Sequence, residues 1–138
     1  MIEYQPNTDV TNDALNALYA DAWPDHTPSD FADLLSHNLG HICAISDGIL
    51  IGFTYVAWDG GAHAFLLDPM VRKDFRRQGV GTQLVQHAAE LAREAGVEWL
   101  HVDYESHLAT FYSKCGFMTT EAGLINLKNT EPACGGDV

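Results

Sequence analysis

The apolar residues of this chain recur with two different periods, and those periods divide it into helices and strands. Spacings of three and four residues predict helices over residues 11–22, 28–38, 79–96 and 108–114. Short apolar or alternating stretches predict strands over residues 2–5, 41–46, 49–58, 63–71, 97–104 and 117–127. The predicted order of elements is therefore β-α-α-β-β-β-α-β-α-β.

Glycine and proline mark where these elements turn, end or lose their regularity. Asp47-Gly48 is a two-residue hairpin signal between the second and third strands. Gly96 and Gly116 are typical helix stops. Pro69 falls inside the fourth strand, where it cannot donate a hydrogen bond, so we expect a β-bulge or lost pairing there.

Length and composition predict one globular domain. The chain has 138 residues, 46% of them hydrophobic. We assign residues 1–128 to the domain and residues 129–138 to a polar, flexible tail. The first residues lack the basic and apolar regions of a signal peptide, and no apolar stretch approaches the roughly 20 residues of a membrane span. Three cysteines without a CxxC pair are expected to be free thiols. These features predict a soluble, cytoplasmic protein without a membrane partner.

Charges are distributed very unevenly along the chain. The net charge is −12, and residues 1–70 contain ten Asp or Glu and no Lys or Arg. Four of the seven basic residues then follow within six positions: Arg72, Lys73, Arg76 and Arg77. This basic stretch leads through two glycines into the long predicted helix, whose first turn has unpaired N–H groups and the positive end of the helix dipole. We expect a phosphate to bind there, whereas the acidic balance of the chain argues against nucleic acid.

A solvated basic loop that ends in a helix cap is the simpler alternative. The predicted strand before the loop and the amphipathic helix after it favour an anion site, because such a site needs this arrangement. Two known phosphate loops do not fit. No Gly-Lys-Ser/Thr ends the loop, as a P-loop requires, and the third glycine of a dinucleotide fingerprint would fall on Leu84.

Two motifs in the second half of the chain resemble one enzyme family. The first is Arg76-x-x-Gly79-x-Gly81, and the second is Leu-Ala-Thr-Phe-Tyr-Ser-Lys-Cys-Gly-Phe at residues 108–117. With the element order, they resemble the GNAT superfamily of N-acetyltransferases over about residues 65–117. The resemblance implies an α/β (α+β) fold with a mixed, mostly antiparallel central sheet of six to seven strands and about four flanking helices. It also implies acetyl-CoA as the acetyl donor.

The resemblance assigns coenzyme contacts to the basic loop and to the strand before it. In the family the loop's backbone amides hold the pyrophosphate, which implies this role for Arg77, Gln78, Gly79, Val80, Gly81 and Thr82. Arg76 occupies the first position of the motif. The strand backbone around Val71 is implied to bind the pantetheine arm and to face the thioester carbonyl. Ser106 stands where the family often has an asparagine that contacts pantetheine.

Candidate catalytic residues lie near both motifs. Acetyl transfer needs a neutral amine, donors for the carbonyl oxygen and an acid for the leaving sulfur. Tyr112 matches the tyrosine that commonly protonates the thiolate in the family; a buried aromatic side chain without this role is the alternative. Glu105 is the first candidate for the base and Asp68 the next, with His101 and Asp103 also nearby, and a structural role is the alternative for each. The histidines lack metal-ligand spacing, so no metal is expected.

The first two helices and their connection usually shape the acceptor pocket in this family. Here they contain six aspartates, Trp23 and His26, and no Lys or Arg. Such a wall favours a cationic amine, and an acidic surface without a role in binding is the alternative. The leading hypothesis is an N-acetyltransferase acting on a primary amine. A CoA- or acyl-CoA-binding sensor or subunit without catalysis, and an acyltransferase for longer chains, stay open. The last predicted strand could pair across a two-fold axis in a homodimer.

Overall fold

A computed structural model of the protein describes residues 1–128 and confirms the α/β (α+β) class. Its strands are β1 (Ile2–Pro6), β2 (Asn38–Ser46), β3 (Ile49–Trp58), β4 (His63–Val71) and β5 (Trp99–His101). Its α-helices are α1 (Asn12–Ala22), α2 (Ala32–His37), α3 (Val80–Glu94) and α4 (Ala109–Lys114). Short 3-10 turns at Lys73–Phe75 and Ser106–Leu108 precede α3 and α4. The tail predicted over residues 129–138 lies outside the described residues.

The strands form a single mixed sheet in the order β1-β2-β3-β4-β5. The three strand pairs from β1 to β4 are antiparallel, as expected. The pair of β4 with β5 is parallel. The long helix α3 connects the parallel pair, because parallel strands need a crossover rather than a hairpin. The predicted number of six to seven strands was wrong for residues 1–128, where the sheet has five.

The predicted last strand, residues 117–127, does not form. This segment has no regular structure, and the side chains of Met118, Leu124 and Ile125 are about four-fifths exposed. Strand preference depends on burial against neighbouring side chains, which this segment lacks. The edge strand β5, which precedes this segment in the chain, has three residues and so offers only a short edge for pairing. The homodimer expected through this strand stays a prediction, without the strand on which it was based.

Local signals set the hairpin and the long helix as predicted. Asp47 and Gly48 both have positive φ, +50° and +77°, which is the conformation that a tight two-residue hairpin between twisted strands requires. At the end of α3, Gly96 has φ +89°, its N–H donates to the carbonyl of Arg93, and that of Val97 donates to the carbonyl of Ala92. These two bonds make a Schellman cap, which satisfies carbonyls that the helix leaves unpaired.

The core lies on both faces of the sheet. One face packs against α3 and α4, where the fully buried side chains include Val56, Leu66 and Leu84. The other face packs against α1, with Leu15 and Phe53 buried between them. Successive strand residues point to opposite faces, so the long strands contribute to both clusters. None of the helices in residues 1–128 has the length and the apolar composition needed to cross a membrane.

We predict that Leu84→Ala lowers the free energy of unfolding by about 2–5 kcal/mol, because it leaves a cavity between α3 and the sheet. Leu124→Ala is the matched control, since that side chain is 87% exposed and the expected change is within about 0.5 kcal/mol. Urea unfolding followed by circular dichroism measures both. Equal effects of the two substitutions would contradict this core assignment.

Candidate active site

A cleft opens where β4 and the chain after β5 part. The pairing of β4 with β5 ends at Phe65 and His101, whereas β4 continues to Val71. The cleft has a volume of about 730 Å³. Its lining brings together the end of α1, the end of β4, the basic loop, the first turn of α3 and the region around α4: Ala22, Trp23, Pro69, Met70, Val71, Phe75, Arg76, Arg77, Gly79, Val80, Gly81, Thr82, Glu105, His107, Leu108, Phe111 and Tyr112.

A β-bulge in β4 lies just before the residues that line the cleft, as Pro69 predicted. Tyr55 pairs with Leu67, and Phe53 pairs with Met70, so Thr54 alone stands opposite two residues. The first of these two, Asp68, has φ +49°, which is uncommon for a residue other than glycine. The bulge therefore sets the direction in which the last residues of β4 enter the cleft.

Hydrogen bonds hold the basic loop to the end of β4 and to the end of α1. The guanidinium Nε of Arg76 donates to the carbonyl of Val71 over 3.1 Å. The backbone N–H of Lys73 donates to the Asp21 carboxylate over 2.9 Å, which ties the loop to the end of α1. Arg77 and Gly79 have φ +65° and +79°. A left-handed backbone immediately before a helix turns consecutive N–H groups toward one side, as anion-binding loops do.

The two glycines of the motif have different physical roles. A Cβ added to Gly79 would meet no atom within 4 Å, so Gly79 is required by its left-handed φ and leaves open space beside the helix start. A Cβ added to Gly81 would lie 3.3 Å from Cζ of Phe111. Gly81 therefore allows α4 to pack closely on the first turn of α3, and the spacing of the motif alone did not separate these roles.

Tyr112 reaches the cleft from a nearly buried position on α4. Its ring stacks on that of Tyr104 with the centroids 4.8 Å apart, and it meets Phe111 and Phe117 edge-on. Its hydroxyl makes no hydrogen bond to any residue in 1–128. Burial, with the charges of Cys115 and Asp103, raises the pKa of Tyr112 to about 12. The phenol is therefore protonated at neutral pH and is available as a proton donor.

Among the four candidate bases, Glu105 alone lines the cleft. Its carboxylate lies 3.5 Å from Nδ1 of His107, and both side chains are largely exposed. β5 ends at His101, so the strand predicted over residues 97–104 ends early, and Asp103 and Glu105 follow it outside the sheet. The imidazole of His101 instead contacts that of His63 over 2.7 Å, on the exposed side of the sheet.

Three predicted site residues do not line the cleft: Asp68, Gln78 and Ser106. Asp68 is half-buried, and its carboxylate accepts a hydrogen bond from the hydroxyl of Tyr19. Gln78 is exposed in the loop, and Ser106 is exposed in the turn before α4. The assigned roles of all the site residues stay predictions.

The acidic wall expected from the first two helices does not line the cleft. That part of the chain contributes Ala22 and Trp23, and Trp23 is 44% exposed. Asp21 is engaged with the basic loop, and Asp30 accepts hydrogen bonds from Asn12 and Ala32. The sequence predicted Trp23 only as part of the acidic wall of the acceptor pocket. Its place in the cleft, like that of Phe75 and Phe111, follows from tertiary packing.

Within residues 1–128, no three His, Cys, Asp or Glu side chains come together as a metal site. Burial raises the pKa of the Cys115 thiol, and a hydrogen bond with the Thr82 side chain lowers it in part. The cleft therefore offers a phenol, a carboxylate, backbone amides and guanidinium groups for chemistry.

Known proteins resemble this chain in sequence and in structure. The probable glucosamine 6-phosphate N-acetyltransferase 2 of Oryza sativa subsp. japonica is 28% identical over 113 residues, which cover 70% of this chain and 68% of that protein. The GNAT-family acetyltransferase SP0256 of Streptococcus pneumoniae TIGR4 superposes with a TM-score of 0.75 at 24% identity, covering 93% of this chain and all of that one.

Aminoglycoside N-acetyltransferase AAC(6')-Iy, whose structure contains CoA, superposes with a TM-score of 0.75 at 21% identity, covering 93% of this chain and 95% of that one. The sequence profile of the acetyltransferase (GNAT) family matches residues 8–117. That match spans most of the chain, including the cleft, the basic loop and Tyr112, so the protein belongs to the acetyltransferase (GNAT) family.

Proposed function

We propose that this protein transfers an acetyl group from acetyl-CoA to a primary amine by direct attack within a ternary complex. The observation that carries the proposal is the meeting of three features in one cleft. These are the basic glycine loop at the start of α3, the bulged end of β4 and the protonated phenol of Tyr112. Membership of the acetyltransferase (GNAT) family supports the same reaction.

The loop fits the diphosphate of acetyl-CoA. The open space at Gly79, the left-handed backbone at Arg77 and the guanidinium groups of Arg76 and Arg77 suit a polyanion at a helix start. Within residues 1–128, the edge of β4 that faces away from β3 has no strand partner between Phe65 and Val71, and it can hydrogen-bond the amides of the pantetheine arm as a neighbouring strand would. A structure of the aminoglycoside acetyltransferase with CoA supports this choice of co-substrate.

Each step of the reaction has a candidate group in the cleft. Acetyl-CoA supplies an acetyl thioester, whose C–S bond breaks as a C–N bond forms to the amine. Glu105 takes a proton from the amine, directly or through water, and a backbone N–H at Val71 donates to the carbonyl oxygen. Tyr112 gives its proton to the departing sulfur.

The proposed acceptor is an amine that is protonated, and therefore cationic, when it is free in solution. Trp23 at the cleft offers an aromatic face to a cation, and Glu105 is the carboxylate that lines the cleft. The named activities of the rice relative and of the aminoglycoside acetyltransferase involve amines on sugars. An amino sugar is therefore the first chemical class to test.

We expect calorimetry to detect acetyl-CoA binding, and we expect thiol release on addition of an acceptor amine. The panel contains glucosamine, glucosamine 6-phosphate, an aminoglycoside, a polyamine and a lysine peptide. Faster release with the unphosphorylated cationic amines is the predicted result. Binding without release from any amine would favour the CoA-binding sensor, and the absence of binding would contradict the proposed function.

A second prediction separates the loop's role in binding from its backbone strain. Gly79 and Gly48 have nearly equal φ, +79° and +77°, and an added Cβ meets nothing within 4 Å at either site. Gly79→Val and Gly48→Val should therefore lose similar stability, whereas Gly79→Val alone places a branched side chain in the proposed diphosphate position. We expect at least about a tenfold loss of acetyl-CoA affinity in Gly79→Val, measured by calorimetry. Equal affinities would contradict the placement.

A third prediction concerns the acid. Tyr112→Phe should lower kcat by about 100-fold and leave the acetyl-CoA Kd unchanged, because it removes only the proton donor. Tyr104→Phe is the matched control, since Tyr104 stacks on Tyr112 and does not line the cleft. With a pKa of about 12, Tyr112 keeps its proton as the pH rises through 9, so its own ionisation should not reduce kcat in that range. Unchanged turnover in Tyr112→Phe would assign the acid to another group.

A further inference from the structure

Two hydroxyl groups from other elements, one on β3 and one on α1, make hydrogen bonds at the start of the bulge in β4. The Thr54 hydroxyl donates to the backbone carbonyl of Leu67 over 2.9 Å. The Tyr19 hydroxyl donates to the carboxylate of Asp68 over 2.8 Å. Leu67 is the last residue before the bulge and Asp68 is its first residue. The Thr54 bond therefore holds the backbone next to the bulge, and the Tyr19 bond holds the side chain of the bulged residue.

Both hydroxyls are buried and have fixed positions. Thr54 is fully buried, and Tyr19 is 8% exposed. The ring of Tyr19 packs against those of Trp23 and Phe31, with centroids 5.5 Å and 5.0 Å away. Buried hydrogen bonds are poorly replaced by water, so each bond constrains its acceptor more firmly than an exposed bond would.

The acceptor backbone needs such a constraint. Asp68 has φ +49°, and a residue other than glycine keeps this conformation where its surroundings hold it. Asp68 is also followed by Pro69, which cannot donate a hydrogen bond to the strand ladder. The Thr54 hydroxyl thus gives the Leu67 carbonyl a partner next to the bulge, and the Tyr19 hydroxyl holds the Asp68 side chain in place.

The constrained backbone leads directly into the cleft. Pro69, Met70 and Val71 line the cleft, whereas Asp68, one residue earlier, does not. Burial raises the pKa of Tyr19 well above its ordinary value, with the Asp68 charge adding to the effect, so its hydroxyl stays protonated as a donor. The Asp68 carboxylate is already engaged by this donor and faces α1.

We propose that Tyr19 and Thr54 are positioning residues that clamp the β4 bulge and thereby place the Met70–Val71 backbone against the reacting carbonyl. Asp68 is then the acceptor of this clamp and not the base. This inference rests on the proposed function for its kinetic consequences, and its structural part is independent of the reaction. Displacement of the backbone N–H donor at Val71 is expected to lower kcat, because catalysis tolerates little error in the alignment of reacting groups.

The test uses pairs of substitutions that differ in one hydrogen bond. Tyr19→Phe and Thr54→Val remove a hydroxyl at nearly constant shape, and each should lower kcat about tenfold with the acetyl-CoA Kd unchanged. Thr54→Ser keeps the hydroxyl and should retain turnover. Asp68→Asn keeps an acceptor and tolerates the left-handed backbone, so it should recover turnover that Asp68→Ala loses. Full loss of turnover in Asp68→Asn would overturn the proposal and make Asp68 the base.

A second readout does not depend on activity. In NMR spectra of the whole chain, Tyr19→Phe should shift the amide resonances of Met70 and Val71 and speed their hydrogen exchange, while amides in the middle of α3 stay unchanged. Unchanged resonances and exchange at Met70 and Val71 would overturn the clamp. If the unaltered protein acetylates no amine, the proposed function fails, and this amide measurement alone decides whether the clamp exists.

Discussion

The separation of β4 from β5 is the constraint on which the cleft depends. Parallel pairing holds the two strands together for three residue pairs and ends at His101, yet β4 continues to Val71. Beyond that point the edge of β4 has no strand neighbour, and backbone groups at such an edge bind whatever extended chain can approach them. The basic loop and α4 then close the two sides of the opening. A sheet paired along its full length would leave no room for an extended coenzyme arm.

The bulge and the loop contribute different interactions to this opening: hydrogen bonds at the bulge and positive charge at the loop. At the bulge, two buried hydroxyls donate hydrogen bonds, one to the Leu67 carbonyl and one to the Asp68 carboxylate, and in the clamp that we propose these bonds fix where the end of β4 points. The loop concentrates positive charge at a helix start in a protein of net charge −12. Its position is fixed by hydrogen bonds to Val71 and to Asp21, so the acidic part of the chain serves here as a tether. The cleft therefore joins a basic helix start to a strand end, which is the combination that the proposed acetyl transfer from a long phosphorylated donor needs.

Sequence and structure agree where a local signal controls the backbone. The Asp47-Gly48 turn, the Schellman cap at Gly96 and the bulge at Pro69 each depend on one or two residues whose φ or missing donor limits the choices. Sequence and structure disagree where a predicted strand needs a neighbouring strand to pair with. After Phe117, the apolar side chains up to residue 127 are exposed, and no strand in residues 1–128 lies beside them. The strand expected over 97–104 is limited to Trp99–His101, where β4 is its partner.

The resemblance to the family implied Tyr112 as a candidate acid. The sequence by itself determined the order of the elements from β1 to α4 and the basic glycine loop at the start of α3. These features are local, since periodicity, glycine conformations and clustered charge act within a few residues of one another. Only the tertiary structure decided which distant residues share the cleft. It brought Trp23 and Glu105 to the cleft, turned Asp68 toward Tyr19, and gave Gly79 and Gly81 different neighbours. Such contacts depend on the angle at which helices and diverging strands pack, which no spacing along the chain specifies.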